Sequence, residues 1–418
     1  MKRMLAWFLI LTMALPCLAE AEEAAATLFL EPFSPETATP EPLAPETMIP
    51  APGAQAEADG TAVADGGLEL GSSSVHYPRL TGLGDEALEA AVNELIQSRL
   101  GVTEYLNRVA LLLSDPTGLT VTYDARLYGD VFTCVMEASG AVENSRPTHV
   151  WTAVNIDLTD GHAIGWDDLF SQPEEALEAI GAYLDERVAP ELSAHLSAGS
   201  LAPLPEHFGL SPYGLTLFYP IGQLSTLQDE AGAVTILWSE IQEHLNLAEG
   251  DILDRVGAAE NLSFPEEALA KLTEALAEGR IPGVPAAIGQ PVQELTDAYG
   301  LQIDPDLYEG GRMFLPDDRA FRQVWLLTDA LTERWDTSVV QGLRADRLNL
   351  LGLRTGLTTR EEYLAALGDP ESSLAVNEDR AINWRIVPGT SDYYTVGGYR
   401  LRLHVDEEGV LRSVFITQ

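Results

Sequence analysis

Positive charge is scarce in this 418-residue chain. Its 24 lysines and arginines face 65 aspartates and glutamates, which gives a formal net charge of −41, and Lys2 and Lys271 are the only lysines. A surface this acidic repels phosphate backbones and anionic headgroups, so nucleic acid is excluded as a partner and anionic membranes are disfavoured. The expected partner is a cationic protein or a cell-wall component, although the same charge would also keep an exported protein soluble.

Cysteine is rarer still, with two residues in the whole chain. Cys17 lies in the apolar N-terminal segment, and Cys134 lies in DVFTCVMEA, whose alternation predicts a strand. If the N-terminal segment is removed, Cys134 has no second cysteine and an intramolecular disulfide is excluded. We therefore expect a buried, unreactive thiol at Cys134. Lipid attachment at Cys17 is an alternative that Pro16 disfavours, because lipid-modified cysteines normally follow a small residue.

Motifs for catalysis and metal binding are absent as well. The seven histidines are dispersed, and the sequence has no H-E-x-x-H, C-x-x-C, calcium-loop, G-x-S-x-G, S-x-x-K or glycine-rich phosphate pattern. We accordingly predict no catalytic residues, no cofactor and no metal ligands. Carboxylate pairs can come from distant parts of a chain, so a hydrolase acting on glycan or cell wall stays open as the alternative.

The N-terminus has the pattern of an export signal. Lys2 and Arg3 precede an apolar run from Met4 to about Leu18, and the small residues of an A-x-A cleavage site follow, ending at Ala21. This pattern predicts a signal peptide over residues 1–21 and an extracellular or cell-surface protein without a transmembrane helix in the mature chain. Retention of the run as a membrane anchor is the alternative.

Composition divides the remaining chain into four parts. Residues 22–74, rich in Ala, Pro, Glu and Thr, cannot bury enough apolar surface to fold and are predicted to be a disordered acidic linker. An α+β extracytoplasmic domain is expected over 75–247, a helical connector over 248–284 and a second α+β domain over 285–418. The predicted fold class is α+β, with helices packed on antiparallel sheets.

Local patterns support this division. In the first domain, DEALEAAVNELIQSRL has apolar residues at helical spacing behind a cap at Asp85, and several segments that alternate apolar and polar residues follow. In the second, GQPVQELTDAYG (289–300) and GLTTREEYLAALGDP (356–370) share a glycine, a polar turn and two helical turns. The second domain is therefore predicted to have two weakly repeated halves.

One segment, TDGHAIGWDDLF (159–170), is dense in groups that could bind a metal: Asp160, His162, Asp167 and Asp168. It follows a strand-like run, and its first residues are a turn tripeptide in which glycine supplies the positive φ. The adjacent aspartates precede a predicted helix, where a carboxylate satisfies free backbone N–H groups. We interpret the segment as a structural turn, an interpretation that convergence of these groups at about 2.0 to 2.2 Å on one point would contradict.

The same segment supports a resemblance to a known family. The series Asp157 to Gly161, then Trp166 to Phe170, then Phe208 and Tyr213 to Tyr219, resembles a bacterial extracytoplasmic domain family of unknown function. That family supplies the sensor domain of a lysozyme-responsive anti-sigma factor and the N-terminal region of a peptidoglycan deacetylase. The resemblance covers about residues 75–247. It departs at 144–151, where NSRPTHVW keeps only the histidine, His149, of the usual Gly-Gly-Ala-His segment.

The C-terminal part, from about Gly289, is loosely similar to the repeat domains of the beta-lactamase inhibitor protein fold, which mostly bind other proteins. Together, these features favour a secreted or cell-surface, non-catalytic binding or sensing protein of a bacterial envelope. The hydrolase alternative would use distant carboxylates with Trp151, Trp166 or Trp238 as sugar-stacking surfaces. A third hypothesis is a structural envelope protein whose domains space other components.

Overall fold

The computed structural model describes residues 60–112, 118–143, 146–184, 204–220, 232–301, 306–308, 311–316, 321–330 and 337–418. All of them belong to one compact unit, Pro50–Gln418. The α+β fold class is confirmed. The predicted signal peptide and the first part of the predicted linker, to residue 59, lie outside the described residues.

The first sheet has five strands in the order β1-β2-β3-β4-β5, antiparallel except for the parallel pair β2 and β3. Its strands are β1 (Ala62–Leu70), β2 (Ser73–Thr81), β3 (Leu119–Tyr128), β4 (Val131–Glu143) and β5 (Arg146–Asp157). Helices α1 (Glu86–Arg99) and α2 (Val102–Leu111) contribute to the apolar core on one face of this sheet. The expected cap is present, since Asp85 Oδ1 accepts hydrogen bonds from the amides of Ala87 and Leu88 at 2.8 and 3.2 Å. Cys134 is buried in this core.

Strand β1 corrects the linker boundary. The predicted linker extended to residue 74, but Ala62–Leu70 pairs with β2 along its full length. Its two glycines suggested disorder by composition, yet the Tyr77 ring lies so close to Gly66 that a Cβ there would meet Tyr77 Cε2 at 2.6 Å. The glycine is therefore needed for packing against an aromatic ring on the neighbouring strand.

The second sheet has three antiparallel strands, β6 (His207–Leu210), β7 (Gly214–Tyr219) and β8 (Gly232–Leu237). Between the first and second sheets in sequence come helices α3 (Trp166–Leu169) and α4 (Pro173–Tyr183). One face of the second sheet packs with these helices in a common core. Phe218 on the other face packs against Val135 and Ala153 of the first sheet. The two sheets are thus stacked.

The predicted connector 248–284 is helical, but it is divided between two cores. Helices α5 (Ile252–Arg255) and α6 (Ala258–Leu262) belong to the core of the second sheet. Helix α7 (Ala268–Ala275) belongs to the core of the C-terminal sheet. Burial of both segments makes this stretch part of the packed interior.

The C-terminal part begins with α8 (Val292–Tyr299) and forms an eight-stranded sheet in the order β15-β16-β17-β18-β12-β11-β10-β9. The strands of the first half are β9 (Asp306–Tyr308), β10 (Gly311–Phe314), β11 (Val324–Thr328) and β12 (Val340–Ala345). A small hairpin, β13 (Asn349–Leu350) with β14 (Leu353–Arg354), and helix α9 (Arg360–Leu367) follow. The second half contains β15 (Ser372–Val376), helix α10 (Glu378–Trp384), β16 (Gly389–Val396), β17 (Tyr399–Asp406) and β18 (Leu411–Thr417).

Each half therefore places a helix before four strands, and the last strands of the two halves, β12 and β18, pair at the centre of the sheet. The weak internal repeat of the two halves stays a prediction from the sequence. Among the described residues, no helix is long and apolar enough to cross a membrane.

Candidate functional site

The segment 159–170 forms a turn followed by the short helix α3. The Gly161 amide donates to the Asp157 carbonyl at 2.8 Å, with Gly161 at φ 81°. Asp160 Oδ1 accepts from the His162 amide at 3.0 Å and lies 2.6 Å from His162 Nδ1. Asp168 Oδ2 accepts from the Gly165 amide at 2.7 Å, and Asp167 is exposed. Asp160 and Asp168 thus accept hydrogen bonds from backbone amides of the turn.

Three potential metal ligands of this region lie close together. Asp157, Asp160 and His162 offer ligand atoms that lie within 4.8 Å of one another. His162 Nε2 is also 3.5 Å from Asp168 Oδ1. The hydrogen bond to Asp160 raises the pKa of His162, so the proton that a metal would have to displace is held more firmly.

Asp157, which the sequence singled out only as part of the family resemblance, is the buried carboxylate of this region. Its buried carboxylate accepts hydrogen bonds from the amide and hydroxyl of Thr159 at 2.9 and 2.7 Å and forms an ion pair with the guanidinium of Arg255. Burial alone would raise its pKa, but the hydrogen bonds from Arg255 and Thr159 outweigh burial and hold the pKa well below its usual range. The carboxylate most central to the cluster is therefore already neutralised by arginine.

We expect zinc to leave the stability of the protein unchanged. A real site would stabilise the folded state by about 2.7 kcal/mol when free zinc is about 100 times its dissociation constant. Thermal unfolding with and without micromolar zinc measures this, with the His162→Ala variant as the control. A rise in melting temperature that the His162→Ala change removes would contradict the structural interpretation.

A space suited to a ligand lies elsewhere, between the two stacked sheets. It is a cavity of about 350 Å³ lined by residues of β3 and β4 on one side and β6, β7 and β8 on the other. The loop after β6 and two residues from further along the chain, Gly283 and Arg322, complete the lining. We call this space the inter-sheet cavity. Its volume lies at the small end of the range of about 300 to 1,000 Å³ found for small-molecule sites.

Arg322 is the most unusual group of the inter-sheet cavity. The half-buried guanidinium lies over the Tyr213 ring, 4.0 Å from the ring centroid, and its Nη1 donates to the Pro282 carbonyl at 2.8 Å. Nε and Nη2 make no hydrogen bond to a residue that the structure describes, and no described carboxylate pairs with this side chain. Burial lowers the pKa of Arg322 because its charge is not compensated.

The backbone that holds Arg322 is strained. Arg322 and Gln323 both have positive φ, 51° and 58°, a conformation that costs non-glycine residues on the order of 1 to 3 kcal/mol each. The neighbouring Gln323 is fixed by Arg347, whose Nη1 donates to its side-chain oxygen at 3.0 Å. Arg347 Nη2 in turn bonds the Thr235 carbonyl of β8 at 3.0 Å. Arg347 thus links the strained segment to the second sheet.

Glycine at position 283 makes the approach of Arg322 possible. A Cβ on Gly283, which has φ +77°, would lie 3.0 Å from Arg322 Nη1 and 3.1 Å from Tyr213 Cε2. Any side chain at this position would therefore push against both members of the stacked pair.

The other charged groups of the inter-sheet cavity compensate each other. Arg126 Nε lies 2.9 Å from Asp124 Oδ1 on the same face of β3. Burial raises the pKa of Tyr128 to about 12 and raises that of Tyr213 as well, so both hydroxyls are neutral at physiological pH. The cavity therefore has a net positive charge contributed by Arg322, inside a protein of net charge −41.

A second, smaller cavity of about 210 Å³ lies beside Trp166, Phe208 and His207. Its arginine, Arg99, already pairs with Glu206 at 3.4 Å. The Trp166 ring stacks on Phe208 with 4.2 Å between centroids, Trp238 is fully buried and Trp151 is half-buried. These three tryptophans contribute to packing, which leaves the inter-sheet cavity as the better candidate site.

Sequence reasoning did not find this cavity. Asp124, Arg126 and Tyr128 alternate along one strand in TYDARLY, a readable sign that one face of β3 is polar. Tyr213 was noted only as part of the family resemblance. Arg322 has no local signal, since it reaches the cavity by tertiary folding from almost 200 residues further along the chain than β3.

Comparisons with known proteins give little beyond this geometry. No family model matches the chain, and no curated protein matches it. Similar solved structures include a DUF3298-family protein from Bacteroides fragilis, with 14% identity over 46% of this chain and 96% of that chain and a TM-score of 0.37. A DUF3298-family protein from Pseudomonas aeruginosa has 10% identity, coverage of 44% and 94%, and a TM-score of 0.32.

A DUF4309-family protein from Bacillus subtilis has 14% identity, coverage of 36% and 97%, and a TM-score of 0.22. All three are bacterial proteins from families of unknown function. Their TM-scores are too low to establish a common fold. What the structure itself defines is an α+β protein with a ligand-sized, arginine-containing cavity between two sheets.

Proposed function

We propose that this chain is an exported, non-catalytic binding protein of a bacterial cell envelope, and that the inter-sheet cavity is its ligand site. The observation that carries the proposal is Arg322, a cation in a ligand-sized cavity that no described carboxylate neutralises. Removing a charge from water is costly unless a partner compensates it. A bound ligand would supply the missing partner.

The hydrolase alternative finds less support at this site. Glycoside hydrolysis generally needs two carboxyl groups, about 5 to 10 Å apart, on opposite sides of the scissile bond. Asp124 is the one carboxylate that lines the inter-sheet cavity among the described residues, and it is paired with Arg126. A cavity whose one described carboxylate is paired with an arginine is better suited to binding a ligand than to acid–base catalysis.

Export is the second part of the proposal and rests on the N-terminal sequence. Lys2 and Arg3, the apolar run and the A-x-A site ending at Ala21 are the features that support it. The net charge of −41 favours a cationic protein as a partner. This prediction is based on the charge of the whole chain and not on the inter-sheet cavity.

Native mass spectrometry of the protein with a soluble digest of bacterial cell wall tests the binding function. We expect an added mass that is released unchanged on denaturation, and less of it for the Arg322→Gln variant. Arg79→Gln, the same change at an exposed position outside the inter-sheet cavity, is the matched control. Release of a chemically altered molecule would show turnover and would overturn the non-catalytic assignment.

A further inference from the structure

We infer that the ligand of the inter-sheet cavity is a small organic anion, a carboxylate on an apolar body, held through the guanidinium of Arg322. This inference rests on the proposed function and names its ligand class.

The sign of the charge follows from the partners of the two cavity arginines. Arg126 pairs with Asp124 at 2.9 Å, so these two residues add no net charge to the cavity. Arg322 uses Nη1 for the Pro282 carbonyl and leaves Nε and Nη2 without a bond to any described residue. These two nitrogens form one edge of the planar guanidinium, with parallel N–H donors spaced to fit the two oxygens of a carboxylate.

The guanidinium is held in place before any ligand arrives. The Tyr213 ring supports one of its faces at 4.0 Å, and the close contact with Gly283 leaves no room for a side chain there. Next to it, Arg347 Nη1 donates to the side-chain oxygen of Gln323 at 3.0 Å, which links the left-handed segment to a second arginine. An arginine fixed in this way loses less conformational freedom on binding than a surface arginine does.

The body of the ligand follows from the remaining lining. Val135 of the first sheet and Leu210 and Phe218 of the second contribute apolar surface, and the volume is about 350 Å³. The hydroxyl groups of Thr216 and Thr235 form a hydrogen bond with each other at 3.0 Å, so neither needs a hydrogen bond from a ligand. The lining also includes the hydroxyl-bearing Tyr128, Ser211 and Tyr213, so these surroundings suit a compact, partly apolar or aromatic group rather than a polyanion.

A charge series on one skeleton tests the inference. Isothermal titration calorimetry at about 0.15 M salt, where the Debye length of about 8 Å screens the acidic surface, would compare 3-phenylpropanoate, 3-phenylpropanamide and 3-phenylpropylammonium. We expect the anion to bind at least tenfold more tightly than the other two.

The Arg322→Gln variant should bind the anion about 10- to 100-fold more weakly, because a charged two-point hydrogen bond is lost. Arg322→Lys should bind with intermediate affinity, since it keeps the charge without the planar edge.

Two further variants separate binding from folding. Gly283→Ala should weaken the anion by displacing Arg322, and Arg79→Gln should bind like the wild type; circular dichroism of each variant checks that the fold is kept. Equal or tighter binding of the amide or the ammonium, or no binding of the anion at millimolar concentration, would overturn the inference. In those cases, an unchanged mass bound from the cell-wall digest would still support the proposed binding function, so the two failures are distinguishable.

Discussion

Replacing Asp392 by alanine is expected to destabilise the protein by about 3 kcal/mol, because it removes the buried acceptor of four hydrogen bonds and leaves the buried Tyr363 hydroxyl without a partner. Asp392 on β16 is fully buried and accepts two hydrogen bonds from Arg360, at 2.7 and 3.1 Å, and one from the Tyr363 hydroxyl at 2.6 Å. Ser373 of β15 donates a fourth at 2.5 Å. This carboxylate thus fastens helix α9 to two strands of the C-terminal sheet.

Urea unfolding at neutral pH measures the effect. Tyr363→Phe removes a single donor from the same carboxylate and should cost about 1 kcal/mol. Asp369→Asn, at an exposed position, should stay within about 0.5 kcal/mol of the wild type. A loss no larger for Asp392→Ala than for Tyr363→Phe would show that the network does not anchor α9.

Some of these features could be read from the sequence, because their causes are local. The cap at Asp85 and the glycine turn at Gly161 depend on a few neighbouring residues, and both are present. The two helices of the predicted repeat in the C-terminal part were visible because each helix carries its own glycine boundaries. Periodicity reports such features well, since it depends on backbone geometry within a few residues.

Features that depend on pairing across the chain were missed. Composition assigned Ala62–Leu70 to the linker, since its glycines and acidic residues lower the apparent tendency to fold, and pairing with β2 overrides that tendency. The inter-sheet cavity depends on Arg322, which carries no pattern of its own. The guanidinium of Arg322 can lie over the Tyr213 ring because position 283 is a glycine, and Tyr213 is far from both Gly283 and Arg322 in sequence. A single sequence has no local sign of such an arrangement.

The ion pair between Asp157 and Arg255 also depends on pairing across the chain, and we expect its loss to destabilise the protein strongly. Asp157 ends β5 and Arg255 lies on α5, so the pair joins the first sheet to a helix 98 residues further along the chain. The side chains are 7% and 20% exposed, and Asp130 accepts a further hydrogen bond from Arg255 Nη1 at 2.8 Å. Arg255→Gln would leave the buried carboxylate without its cation and should destabilise the protein by about 3 to 5 kcal/mol.

The pH dependence of that loss identifies its cause. The folded-state pKa of Asp157 is depressed below the unfolded value of about 3.9, so the stabilisation is complete above about pH 5 and is lost as the pH falls through that value towards the folded pKa. The difference in unfolding free energy between wild type and Arg255→Gln should therefore be full at pH 7 and shrink below about pH 4. Urea unfolding across this range measures it, with Arg79→Gln as the matched control. A difference that stays constant down to pH 3 would mean that packing of the arginine side chain, rather than its charge on Asp157, joins α5 to the sheet.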